Sequence, residues 1–161
     1  MPINADAEAL FAAHQPGLLR YLRRAVGHAD TARDLTQDVF VRVAGAPNLP
    51  PTDGERRAWV FRIARNLAID HYRRAATKVA ASAADAGAAS RPAAQDTSLA
   101  INEALSALDA LDRDVFLMRE VGGLSYAEVA AACDLTVAAV RSRIHRARLE
   151  LRKGLTWTDM K

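Results

Sequence analysis

Apolar residues along this chain recur at helical spacing and almost nowhere alternate with polar ones. Val137, Val140, Ile144, Ala147 and Leu151 fall at i, i+3, i+7, i+10 and i+14, one stripe of an amphipathic helix. Leu35, Val39 and Val43, with Phe40, mark a second inward face. Val60, Ile63, Ala64, Leu67 and His71 mark a third. Hairpin dipeptides between β-branched runs are missing, so the pattern predicts an all-α fold.

The first half predicts four helices up to about residue 74. One covers about 5–14. After a break at Pro16-Gly17, a second carries Leu18, Leu19, Leu22 and Val26. A third runs from near Asp30 to about Ala44, and a fourth from about Glu55 to Arg74. Residues 45–54, rich in Gly and Pro, read as a loop. Residues 75–98 change character: alanine prevails, and Val79 is the only large aliphatic before the closing Ser98. Such a segment has no face to bury and reads as a linker, with room for a transient helix at 75–86. The second half predicts helices at 99–107, 110–121, 126–133 and 137–153. Gly122-Gly123 closes the second and Gly154 the last. The expected organisation is two small helical domains, 1–74 and 99–154, joined by a flexible Ala-rich linker at 75–98 and followed by a tail at 155–161.

Residues 124–148 carry the most specific pattern. Ser125 with Glu128 three residues on is a capping box, and Leu124 with Val129 is its hydrophobic staple. Thr136 caps the next helix, with Leu135 and Val140 as a second staple. Two short helices around a tight turn make a helix-turn-helix. On the second helix Arg141, His145, Arg148 and Arg152 form a polar stripe beside the apolar one, suited to a duplex phosphate backbone.

Charge sharpens this reading. The net charge is +3, but residues 135–153 hold six bases and one acid, and residues 56–74 hold the same. Residues 99–134 hold seven acids and two bases. The two basic segments are the places to expect nucleic-acid contact. In the second of them Arg62, Asn66, Asp70 and Arg73 share one polar face, able to meet phosphates and base edges. Asp34, Gln37, Asp38 and Arg42 cluster on the outer side of the third helix, a face that fits a basic protein surface better than DNA.

Composition excludes several classes. No run approaches the ~18 apolar residues of a membrane span, and the start is not a signal peptide, so a cytoplasmic protein without membrane insertion is expected. Cys133 is the single cysteine, a small buried hydrophobe by its position. His14, His28, His71 and His145 lack ligand spacing, so neither metal nor cofactor is expected. No nucleophile constellation, catalytic carboxylate pair or phosphate loop marks an enzyme.

Four stretches taken together resemble bacterial RNA polymerase sigma factors of the extracytoplasmic-function class. They are residues 34–43 (DLTQDVFVRV), 57–74 (RAWVFRIARNLAIDHYRR), 123–130 (GLSYAEVA) and 140–148 (VRSRIHRAR). The resemblance covers nearly the whole chain except the linker. It implies a factor that binds core RNA polymerase, through its clamp and flap surfaces, and directs initiation at promoters. Asp34, Gln37 and Asp38 would then meet the clamp. Arg62, Asn66, Asp70 and Arg73 would face the −10 element, with the loop at 45–55 holding a flipped base of the melted strand. The helix from 137 would enter the major groove of the −35 element, offering Ala138, Ala139, Arg141, Ser142, Arg143, His145 and Arg146. Arg141 is the best base reader among them, because arginine can be bidentate to guanine. An anti-sigma protein is the expected regulator. Two departures stand out: Leu108-Asp109 where the family often has Leu-Pro, and Cys133-Asp134 where it often has Leu-Gly. The competing readings are a polymerase-independent helix-turn-helix regulator and a sigma-like decoy that binds an anti-sigma protein. Neither accounts for all four stretches and the retained arginines.

Overall fold

The computed structural model describes residues 4–81 and 96–159, and among these there are seven helices and no strand. They are α1 (Ala5–Val26), α2 (Ala29–Ala44), α3 (Asp53–Ala81), α4 (Asp96–Ser106), α5 (Ala110–Glu120), α6 (Tyr126–Cys133) and α7 (Val137–Asp159).

Helices α1, α2 and α3 pack on one another as the first domain, and α4 to α7 as the second. Asn4 caps α1 by accepting from the Asp6 amide, and Gly27 ends it in the left-handed region at φ 75°. Helix α3 begins with a full capping box, Thr52 to Glu55, in which each side chain bonds the other's amide. Ser125 accepts from the Glu128 amide at 3.1 Å and Thr136 from the Ala139 amide at 3.1 Å. Both sequence-predicted caps of the helix-turn-helix are therefore in place. Asp109 stands at the N-cap of α5 without bonding an amide, its carboxylate 3.7 Å from Arg143 instead.

Three expectations need correction. Pro16-Gly17 does not break the chain, because α1 runs continuously through both. The proline removes one helical donor, whose carbonyl partner belongs to exposed Ala12, within reach of water. The glycine has a packing role, since a Cβ there would lie 3.1 Å from the Gly122 carbonyl oxygen. Likewise α3 continues to Ala81, past the expected boundary at 74 and into the Ala-rich segment, whose alanines favour the helix once α3 is nucleated. Gly154 does not end α7, which extends to Asp159, and Gly154 packs near the Ala104 side chain of α4. The rest of the expected linker, 82–95, lies outside the described residues.

The two domains are docked on each other. Helix α3 packs along α6, and α1 touches α5. Buried residues from both halves form one continuous apolar cluster, from Ala7 and Leu10 to Ile144 and Ala147. Tyr21 and Phe61 sit in it with ring centroids 5.6 Å apart.

Candidate nucleic-acid interface

Most of the α7 residues expected to meet the −35 element are exposed. Val140, Ile144 and Ala147 are buried beneath them. Ala138, Arg141, Ser142, His145 and Arg146 are exposed above, and Ala139 and Arg143 are half-buried. The Arg141 guanidinium lies over the Tyr126 ring at 5.5 Å, and Arg119 approaches the same ring at 4.7 Å. Arg141 thus stands near the start of α7 with its guanidinium held over an aromatic face.

Arg143 and Arg146 are placed differently from Arg141. Asp112 on α5 is buried, and its two oxygens meet Arg143 at 2.7 Å and Arg146 at 3.4 Å. A buried carboxylate needs such partners. Arg143 is consequently a tie between α5 and α7, while Arg146, more exposed, has its outer surface to offer. Arg148 pairs with Glu120. Arg143, expected to face the −35 groove, is therefore held against the domain by buried Asp112.

On α3, Asn66, Asp70 and Arg73 are exposed, and Val60, Ala64 and Leu67 are buried on the opposite side. Arg62 differs from its three companions: it reaches across the domain junction to Asp134 at 2.8 Å and also donates to the Ala131 carbonyl. Two further arginines of α3 cross the same junction. Arg65 meets Asp114 at 3.0 Å, and Arg57 meets Glu128 at 3.5 Å. Burial raises the Asp114 carboxyl despite the Arg65 guanidinium beside it. The basic stretch 56–74 is thus partly matched by the acidic stretch 99–134. Arg57 and Arg65 were not singled out from the sequence, although the charge complementarity that pairs them was visible there.

On α2, Asp34, Gln37 and Asp38 are exposed together, opposite buried Leu35, Val39 and Val43. The loop before α3 is braced where Arg56 Nε donates to the Pro50 carbonyl at 2.7 Å. Cys133 is half-buried against Met118, and burial pushes its thiol up to about 11. No group of three or more His, Cys, Asp or Glu side chains is placed to hold a metal among the described residues. No described helix is long and apolar enough to cross a membrane.

Comparison with known proteins gives this geometry a family. Residues 10–78 match the family "Sigma-70 region 2" and residues 98–151 match "Sigma-70, region 4". The chain is 30% identical to the ECF RNA polymerase sigma factor EcfG of Rhodopseudomonas palustris, over 99% of this chain and 90% of that protein. It is 31% identical to the ECF RNA polymerase sigma factor SigL of Mycobacterium tuberculosis, over 91% and 87%. Among solved structures, CnrH in complex with the cytosolic domain of CnrY is similar at a TM-score of 0.70 and 30% identity, covering 93% of this chain and 87% of that one. The sigma factor RpoE in complex with the anti-sigma factor NepR from Bartonella quintana shares the fold at a TM-score of 0.72 and 23% identity, covering 95% and 98%. With both halves matched in order, and relatives of at least 30% identity aligned over more than nine-tenths of its length, the chain belongs to the extracytoplasmic-function RNA polymerase sigma factors, which bind core polymerase and direct initiation at specific promoters.

Proposed function

We propose a division of labour between the two domains. The first, 1–74 with α3 extended to Ala81, binds the polymerase clamp through Asp34, Gln37 and Asp38 and captures the −10 element through Arg62, Asn66, Asp70 and Arg73. The second, 99–154, docks α7 in the −35 major groove, with Arg141 reading bases from the exposed start of the helix. Ala138, Ala139, Ser142 and His145 line the approach, and Arg146 meets phosphate. Arg143 supports the helix from beneath through Asp112. The chain acts without chemistry of its own: capture of unstacked bases offsets the few kcal/mol of unpairing. Its place of action is the cytoplasm.

One observation carries this reading. The outer faces of α2 and α7 and three of the four α3 positions are exposed, while the opposite sides of the same helices are buried in the shared core. An anti-sigma protein is the proposed regulator, because RpoE of Bartonella quintana was solved with one. The test is reconstitution with bacterial core RNA polymerase and fragmented genomic DNA, mapping transcript 5′ ends against core alone. New starts sharing paired upstream elements are expected. Co-elution with core but no new starts would point to the decoy, and neither would point to the free-standing regulator.

A further inference from the structure

Asp134 closes α6 in the left-handed region, at φ 54° and ψ 46°. It is the one described residue other than glycine with positive φ. A side chain is strained there and glycine is not. The strained position sets a carboxylate 2.8 Å from Arg62 Nη2, across the domain junction. The same nitrogen donates to the Ala131 carbonyl, in the last turn of α6, where the helix leaves carbonyls without internal partners. One guanidinium therefore caps α6 and pairs with the turn that follows it, both favourable at the negative end of a helix.

Those two acceptors imitate what DNA offers. A carboxylate and a carbonyl supply the same kinds of oxygen acceptor that phosphates and base edges supply. Asn66, Asp70 and Arg73 remain exposed on the same helix, as do the clamp face of α2 and the start of α7. The closed arrangement thus engages a −10 side chain and leaves the −35 face open.

We propose that Asp134 is a gate on Arg62: the turn of the helix-turn-helix and the melted −10 strand compete for one guanidinium. The inference rests on the reading of Arg62 as a −10 contact. Apparent affinity for the strand is then reduced by the fraction of molecules in which the gate is closed. Duplex −35 DNA can bind before it opens.

Asp134→Gly is the decisive variant, because glycine keeps the left-handed turn and deletes only the carboxylate. The probe is a fluorescent single strand carrying the nontemplate −10 sequence of a promoter mapped with this protein. At low salt the variant should bind it about two- to five-fold more tightly, the range an exposed ion pair supplies. The pair's side chains are 44% and 84% exposed, so the gap should close as salt rises. Cys133, the only thiol of the chain, adjoins the gate on α6 and should react faster with a thiol reagent in the variant at low salt. Arg62→Ala separates the two layers of the argument. If Arg62→Ala weakens strand binding while Asp134→Gly leaves it unchanged, the gate is overturned and the −10 reading of Arg62 stands. If Arg62→Ala binds the strand as well as the unaltered protein, both are overturned. A gain in Asp134→Gly that persists undiminished at high salt would assign the effect to the relaxed turn, and would also sink the gate.

Discussion

The ring of Phe61 on α3 occupies the space that a side chain at Gly122 would need. A Cβ built there would lie 2.8 Å from the Phe61 Cε1 atom and 2.8 Å from the Met118 carbonyl oxygen. The turn between α5 and α6 can rest on the first domain only because this residue has no side chain. Gly122→Ala should therefore destabilise the docked protein by about 1–3 kcal/mol, the usual cost of overpacking. Thermal unfolding measures it, and an unchanged midpoint would show that the ring and the Met118 carbonyl both give way freely.

Arg141 and Arg143 stand two residues apart on α7 and should fail in different ways. Arg141→Ala should cost about 1–3 kcal/mol in binding duplex −35 DNA with little change in stability. Arg143→Ala leaves the buried Asp112 carboxylate with Arg146 alone and should lower stability by about 1–3 kcal/mol. Fluorescence anisotropy with the duplex and urea unfolding, run on both variants, separate reading from support. Equal effects on both quantities would remove the distinction.

Asp38→Arg reverses a charge on the exposed face of α2, away from its buried side. Core polymerase binding should be lost while circular dichroism stays native. Co-elution of the variant with core at the unaltered strength would show that the clamp contact lies elsewhere.

His14 lies in the cleft between the domains with Asp6, Asp53, Arg56, Arg57 and Glu128. Burial, and then the Arg57 guanidinium, hold its imidazole below the ordinary value, against smaller opposing effects of Glu128 and Asp53. The unfolded chain therefore takes up this proton more readily than the folded one. The His14 contribution is fully present above pH about 6.5 and is lost as pH falls below it. His14→Gln should flatten the stability profile below pH about 6.5, as read by urea midpoints. A profile as steep as the original would assign the slope to other groups.

Tyr21 is fully buried, and its hydroxyl finds no hydrogen-bond partner among the described residues. Its ring packs on Phe61, and burial raises its hydroxyl well above the ordinary range. Tyr21→Phe keeps the ring and removes an unpaired polar group, so stability should hold or rise by up to about 1 kcal/mol. A clear loss on thermal unfolding would reveal a partner for the hydroxyl.

Helix type and most helix boundaries were legible in the sequence, because apolar spacing and caps act over a few residues. Val140, Ile144 and Ala147 announced the buried side of α7, and Ser125 and Thr136 announced where α6 and α7 begin. The four family stretches were equally local, and so was the face of Asp34, Gln37 and Asp38. Local signals misled where distant packing intervened. Pro16-Gly17 reads as a break, yet Gly17 is small so that the Gly122 carbonyl can approach it. Arg62 and Arg143 read as DNA contacts like their neighbours, and nothing within a few residues of either foretells Asp134 or Asp112. The sequence by itself determined the elements, the two-part organisation and the family. Only the tertiary structure decided that the acidic stretch 99–134 of the second domain lies against basic α3, and which arginines are thereby occupied. That choice depends on ion pairs between residues 49 to 72 positions apart, a separation at which no periodicity carries information.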